Sequence, residues 1–181
     1  MRISRRLPNH NYSEEGLYFI TLNTQNGVAL FGDIYDGKLQ LNTFGKIAQE
    51  EWLKTAQIRN NIALHEFIVM PNHFHAIVEI LFSKNEIEYN GLNQFKSPTQ
   101  TIGAVVRGFK GATTKRIKNI ITNDDYNKPM GFDSATIDLS KSIWHRNYHD
   151  HIIRNQKAYI KIAEYIENNP FTWKDDRFYL E

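Results

Sequence analysis

Cysteine is absent from the 181-residue sequence. Disulfides and thiolate chemistry are therefore excluded, while the redox compartment stays open. No apolar run approaches the ~20 residues that a membrane helix needs. The start, Met1-Arg-Ile-Ser-Arg-Arg-Leu-Pro8, carries charge but no apolar segment long enough for a signal peptide. A soluble, cytoplasmic protein with no membrane partner is the expectation. No Gly-x-x-x-x-Gly-Lys loop is present, so nucleoside triphosphate chemistry of that kind is excluded. A large excess of one charge is missing too: 22 Lys and Arg stand against 20 Asp and Glu, a net charge of +2. That mild basicity is compatible with a nucleic-acid partner and does not argue for one. The length fits one domain over residues 1–181. A basic N-terminal arm (1–16) and an aromatic, charged C-terminal tail (171–181) flank it.

What is present centres on Glu66-Phe-Ile-Val-Met-Pro-Asn-His-Phe-His-Ala-Ile-Val-Glu-Ile80. Two apolar runs flank Met70-Pro71-Asn72, which reads as strand, turn and returning strand over 62–69 and 73–80. Side chains two apart in a strand share a side, so His73 and His75 face one way and Phe74 the other. Two imidazoles on a rigid strand are half of a metal site, because catalytic sites usually take three or more ligands. A second pair, His149-Asp-His151, competes for the role.

Leu17–Leu22 is a strand by composition. Val28–Phe31 and Lys38–Leu41 read as short strands around the Asp36-Gly37 turn. Asn42 or Thr43 caps a packing helix that runs to about Ile58. Residues 83–98 read as a loop, and Pro98 or Thr99 starts a helix with Ile102, Val105, Val106 and Phe109 on its apolar face. Arg107, Lys110, Lys115, Arg116 and Lys118 make this the basic helix of the chain. It could lie along a phosphate backbone or be a solvated face. Residues 119–139 read as irregular, with turns marked by Asp124-Asp125 and Pro129–Gly131. Alternation over Ser142–Arg154 puts Trp144, Arg146, Tyr148 and Asp150 on one side, and His145, Asn147, His149 and His151 on the other. Asn155 caps a last helix, Gln156 to about Asn169, with Ile162, Ala163 and Ile166 facing the core. Tyr165 sits at the edge of that stripe and Asn169 one turn on, so both reach one neighbourhood. Pro170 biases Asn169 away from helical backbone. The order is strand, helix, two strands, helix, strand, helix. This is an α+β chain whose first six elements match a ferredoxin-like antiparallel sheet, with helices on one face and an additional C-terminal helix.

Four stretches together resemble a known family: Glu66–His75, Val106-Arg-Gly-Phe-Lys110, Ile143-Trp-His-Arg-Asn-Tyr148 and Tyr165-Ile-Glu-Asn-Asn-Pro170. The chain is similar to the single-tyrosine HUH transposases of bacterial insertion sequences, in their REP-associated tyrosine transposase branch. The resemblance implies that His73, His75 and Asn169 hold Mg2+ or Mn2+ and that Tyr165 is the catalytic nucleophile. It implies cleavage and strand transfer of single-stranded DNA bearing imperfect hairpins, through a 5′-phosphotyrosine. Some members of that family act as homodimers with shared sites and others as monomers. Arg107, Lys110, Lys115, Arg116 and Arg146 are the expected DNA-backbone contacts. His145 stands where a glutamine is more usual, and His149 where an aromatic is common. Tyr159 and Tyr148 are the rival nucleophiles. A DNA-hairpin binding protein without transfer and a hydrolytic metal-dependent nuclease remain the alternatives.

Overall fold

The computed structural model describes residues 14–82, 100–123 and 127–179. Most of the basic arm, the 83–98 loop, the Pro98 and Thr99 helix start, the Asp124-Asp125 turn and the last two tail residues lie outside them. Among the described residues, six strands and three α-helices follow in chain order: β1 (Gly16–Asn23), β2 (Gly32–Tyr35), β3 (Lys38–Leu41), α1 (Thr43–Ile58), β4 (Ile62–Val69), β5 (His73–Ile80), α2 (Ile102–Thr122), β6 (His149–Ile153) and α3 (Gln156–Asn168). Strands β4, β5, β1 and β6 pair in that order, every neighbour antiparallel. With α1 after β1 and α2 after β5, this is the expected ferredoxin-like arrangement. β2 and β3 form a separate hairpin.

Period-two alternation in β5 gives the sheet two unlike faces. Phe74, Ala76, Val78 and Ile80 join Trp52 of α1 and Phe109 of α2 in the main core. Ile77, on the other face, packs under Ile166 of α3 with Leu17, Phe19 and Ile153 around it. So α1 and α2 cover one face, and α3 covers the face that carries His73 and His75. Side-chain caps start all three helices: Asn42 accepts from the amides of Phe44 and Gly45, Thr101 from that of Ala104, and Asn155 from that of Ala158.

Trp52 is fully buried, its ring 5.0 Å from that of Phe74 and 5.3 Å from that of Phe109. Trp52→Ala should cost roughly 3–5 kcal/mol, read from urea unfolding midpoints. Trp52→Phe should cost less, since it keeps an aromatic ring and removes an indole N–H that has no hydrogen-bond partner.

Three local expectations need correction. Val28–Phe31 is not a strand. Asp36 and Gly37 both have positive φ, 49° and 71°, and form a two-residue turn that pairs Tyr35 with Lys38. A two-residue turn sets the register, so the partners of residues 38–41 are 32–35. The apolar run before them is a core plug instead, with the Leu30 and Phe31 amides both donating to the Pro71 carbonyl. The strand expected over 142–154 is limited to His149–Ile153 plus a single bridge between Thr24 and Trp144. Lys110 explains the gap, because its ammonium takes the carbonyls of His145 and Asn147 at 2.8 and 3.1 Å. Asn169 keeps helical backbone (φ −55°, ψ −38°) despite Pro170, so the turn relating it to Tyr165 is intact.

Candidate active site

The Met70–Asn72 turn is clamped before any chemistry is considered. The Met70 amide donates to the His73 carbonyl at 2.9 Å, and the Asn72 carbonyl accepts from both the amide and the hydroxyl of Thr24. The Asn72 side-chain amine donates to the carbonyls of Gly27 and Phe178. Two carbonyl partners fix that amide's orientation, so its oxygen faces His73 Nδ1, at 3.0 Å. An acceptor there means that Nδ1 carries the proton and Nε2 presents a lone pair.

That lone pair points at another acceptor. His73 Nε2 lies 3.2 Å from Asn169 Oδ1. The Asn169 amide is oriented by its own amine, which donates to Asp176 Oδ2 at 2.9 Å. With Nδ1 protonated, Nε2 and the Asn169 oxygen both present lone pairs, an arrangement that a shared cation can satisfy. Burial pushes the His73 pKa down to about 4, with the nearby Asp176 carboxylate only partly opposing it. Desolvation thus favours the neutral imidazole, the form that can act as a metal ligand. His75 is buried as well and is also pushed well below the ordinary histidine range, first by burial and then by His73 and Arg177. Its Nδ1 sits 2.9 Å from the Thr21 hydroxyl and its Nε2 3.2 Å from the Tyr165 hydroxyl.

His73, His75 and Asp176 offer ligand atoms that all lie within 4.8 Å of one another, a cluster able to coordinate a divalent metal ion. Two imidazole nitrogens with carboxylate and amide oxygens are a donor set that borderline and hard divalent ions accept. The Tyr165 hydroxyl is 3.3 Å from Asp176 Oδ2, so the tyrosine touches the same cluster. Tyr165 keeps 40% of its surface exposed. Burial and then the Asp176 charge raise its pKa, which favours the protonated phenol.

Asp176 was not expected here. It follows a short 3-10 turn, Trp173–Asp175, which folds the tail back over the site. The rings of Trp173 and Phe178 come within 5.7 and 4.7 Å of the His73 ring. The tail's aromatic and charged composition signals packing, but no spacing relates residue 176 to residue 73.

The rival groups go elsewhere. Tyr159 donates to Glu66 Oε2 at 2.7 Å, a bond that heads the causes pushing its pKa up to about 12, and lies 3.2 Å from His65 Nδ1. A register shift between Leu64 and Phe67 in β4 turns His65 and Glu66 toward α3. Tyr148 packs against the main core on the opposite face. By register His149 and His151 share the face of His75, opposite Thr21 and Phe19, but they are not in the metal-competent cluster. Of the expected DNA contacts, Arg107, Lys110, Lys115 and Arg116 all ride on α2, across the sheet from Tyr165. Lys110 is engaged with the two carbonyls above and burial pushes its pKa down to about 8. Arg116 pairs with Glu50 and Glu51 at 2.9 and 2.6 Å. Arg107, Lys115 and Arg146 are exposed.

No protein-family model matches the chain. No helix among the described residues is long and apolar enough to cross a membrane. An uncharacterized protein of Haemophilus influenzae is 35% identical over 99% of this chain and 94% of its own length. A solved structure of a REP-associated tyrosine transposase bound to a REP hairpin superposes with a TM-score of 0.58, covering 96% of this chain and 74% of that one at 20% identity. At that identity the likeness establishes the fold. The chain thus belongs to the family of the Haemophilus influenzae protein, and it is built on the fold of the REP-associated tyrosine transposase.

Proposed function

We propose that this protein is a single-tyrosine HUH transposase of the REP-associated branch, which cleaves and rejoins single-stranded DNA at hairpin-bearing sequences. The observation that carries the proposal is the convergence at one site of a phenol and a cluster of metal-competent side chains. The Tyr165 hydroxyl is 3.2 Å from His75 Nε2, and the facing lone pairs of His73 and Asn169 adjoin it. The motif resemblance and the fold support the same reading, as does the REP hairpin bound by the structural relative.

A magnesium or manganese ion held by His73, His75, Asn169 and Asp176 would polarise a non-bridging oxygen of the scissile phosphate. The chain's own residues do the rest. α3 presents the Tyr165 oxygen beside that position, where it attacks phosphorus as the bond to the 3′-oxygen breaks. The products are a 5′-phosphotyrosine and a free 3′-OH. The phenol gives up its proton and the leaving 3′-oxygen gains one. Attack by another strand's 3′-OH reverses the step, with no water or triphosphate consumed. Asn72 holds His73 in the productive tautomer, and Thr21 bonds to the outer nitrogen of His75. Tyr165 meets His75 of its own chain, so a site complete in one copy is the simplest arrangement, and a homodimer is not needed to supply the nucleophile. Action on chromosomal DNA would place the protein in the cytoplasm.

Incubating wild-type protein with an end-labelled hairpin strand and Mg2+ or Mn2+ tests this. Strand transfer leaves protein covalently bound to DNA on a denaturing gel. Free ends without an adduct at early times would mean a hydrolytic nuclease, and neither product would mean a binding protein. The same strand should also bind more tightly than its sequence as a plain duplex.

A further inference from the structure

We propose that the open side of α3 beside Tyr165 is the track by which a single nucleic-acid strand reaches the site, with Lys157 and Lys161 meeting its phosphates and the His151 ring meeting a base. The proposal rests on the transfer reading above and assigns the contacts which that reading leaves without residues.

Lys157, Lys161 and Tyr165 lie at i, i+4 and i+8 on α3, one stripe with about 6 Å of rise per step. All three are exposed. Beneath α3, Phe19 stands opposite both Ile77 of β5 and His151 of β6, so His151 shares the face of His75. His151 is exposed at the sheet edge. Phe19 leads from it to the site, its ring stacked 5.2 Å from His75 and edge-on 6.2 Å from Tyr165.

Charge divides the two flanks of α3. On the β4 flank Tyr159 is tied to Glu66, His65 to Glu79, and Glu167 lines the cleft beside Ile68 and Ile166. That flank is acidic and repels phosphate. Away from that flank, Lys157 and Lys161 are exposed on the outer surface of α3, with Glu164 three residues beyond Lys161 on the same surface, and His151 and Arg154 are exposed in β6 and just after it. The tail closes a third approach, because Trp173 and Phe178 cover His73. The cations of α2 lie across the sheet and cannot lead a strand to Tyr165. What remains is a cationic stripe beside exposed planar rings. An unpaired strand suits it, since its phosphates track lysines while its bases are free to stack, and a duplex hides its bases.

The test is the salt dependence of binding, by fluorescence anisotropy, for a labelled hairpin oligonucleotide with a single-stranded extension. Lys157→Gln with Lys161→Gln should weaken binding and lower the log–log salt slope by about 1.4, at roughly 0.7 per phosphate contact on a single strand. Lys46→Gln, on the exposed surface of α1, should leave the slope unchanged. His151→Ala should weaken binding about tenfold with the slope unchanged, as expected for a lost stacking contact. Lys→Gln on an exposed helix surface is nearly neutral for folding, so these variants remain testable. Unchanged slope and affinity in the double lysine variant, with the Tyr165 adduct still forming in wild type, would overturn the track and leave strand transfer standing. A lowered slope with no adduct from wild type would support the track and overturn transfer. Unchanged affinity in His151→Ala would remove the base contact.

Discussion

Tyr165→Phe should bind the hairpin strand as wild type does and form no covalent adduct, a loss of at least about a thousandfold in cleavage. The substitution removes one oxygen and keeps the ring. The ring's edge contact with Phe19 and its packing on His75 persist. What folding loses is a pair of long hydrogen bonds at 3.2 and 3.3 Å from a part-exposed hydroxyl, worth about 1 kcal/mol or less. A null result in cleavage would therefore not come from unfolding, and a circular dichroism melt beside the cleavage assay checks that. Tyr159→Phe and Tyr148→Phe are the necessary contrasts and should still form the adduct. Tyr159 is occupied by Glu66 and His65, and Tyr148 lies across the sheet.

His73→Ala should lower metal affinity by more than about a hundredfold and abolish cleavage while most hairpin affinity remains. Losing even an outer partner of a ligand costs roughly 10–100-fold, and His73 is itself a member of the metal-competent cluster. His73 is fully buried beneath Trp173 and Phe178, so the truncation also opens a cavity. Asn169→Ala is the second variant that keeps the test clean. It removes the facing oxygen, leaves both imidazoles in place and should cleave poorly, with partial rescue at higher metal concentration. His149→Ala should titrate with the ion as wild type does, because His149 is outside the cluster. Manganese titration of the three proteins reads all of this directly. Loss of the ion from His149→Ala with retention in His73→Ala would move the metal site to β6.

The parts of this structure that were legible in the sequence depend on neighbours in the chain. The strand–turn–strand over 62–80, the Asn42 and Asn155 caps and the same-side placement of His73 and His75 follow from periodicity and short-range hydrogen bonding. The parts that were not legible depend on contacts between distant residues. Asp176 enters the site only because the tail folds back and the Phe178 carbonyl meets Asn72, 106 positions away. The strand over 142–154 is cut short by a lysine on another helix. The same tertiary ordering removes Lys110 and Arg116 from the free cations of α2, since composition alone does not distinguish a lysine that binds carbonyls from one that faces solvent. Which face of the sheet carries the histidines was equally hidden, because alternation shows two faces without saying which one a late helix covers. The basic helix drew attention by its count of charges, whereas the shorter stripe of Lys157 and Lys161 became visible only once α3 was seen to lie over the histidine face.

The most direct test of the central claim is peptide mapping of the protein–DNA adduct. Wild-type protein would be trapped on an end-labelled single strand in manganese, digested and sequenced by mass spectrometry. The account predicts one modified peptide, with the 5′-phosphate side of the break on the Tyr165 oxygen and the other fragment extendable by a polymerase from its 3′-OH. A phosphotyrosine at Tyr159, Tyr148 or any other residue, or cleavage that leaves only free ends at the earliest times, would contradict it.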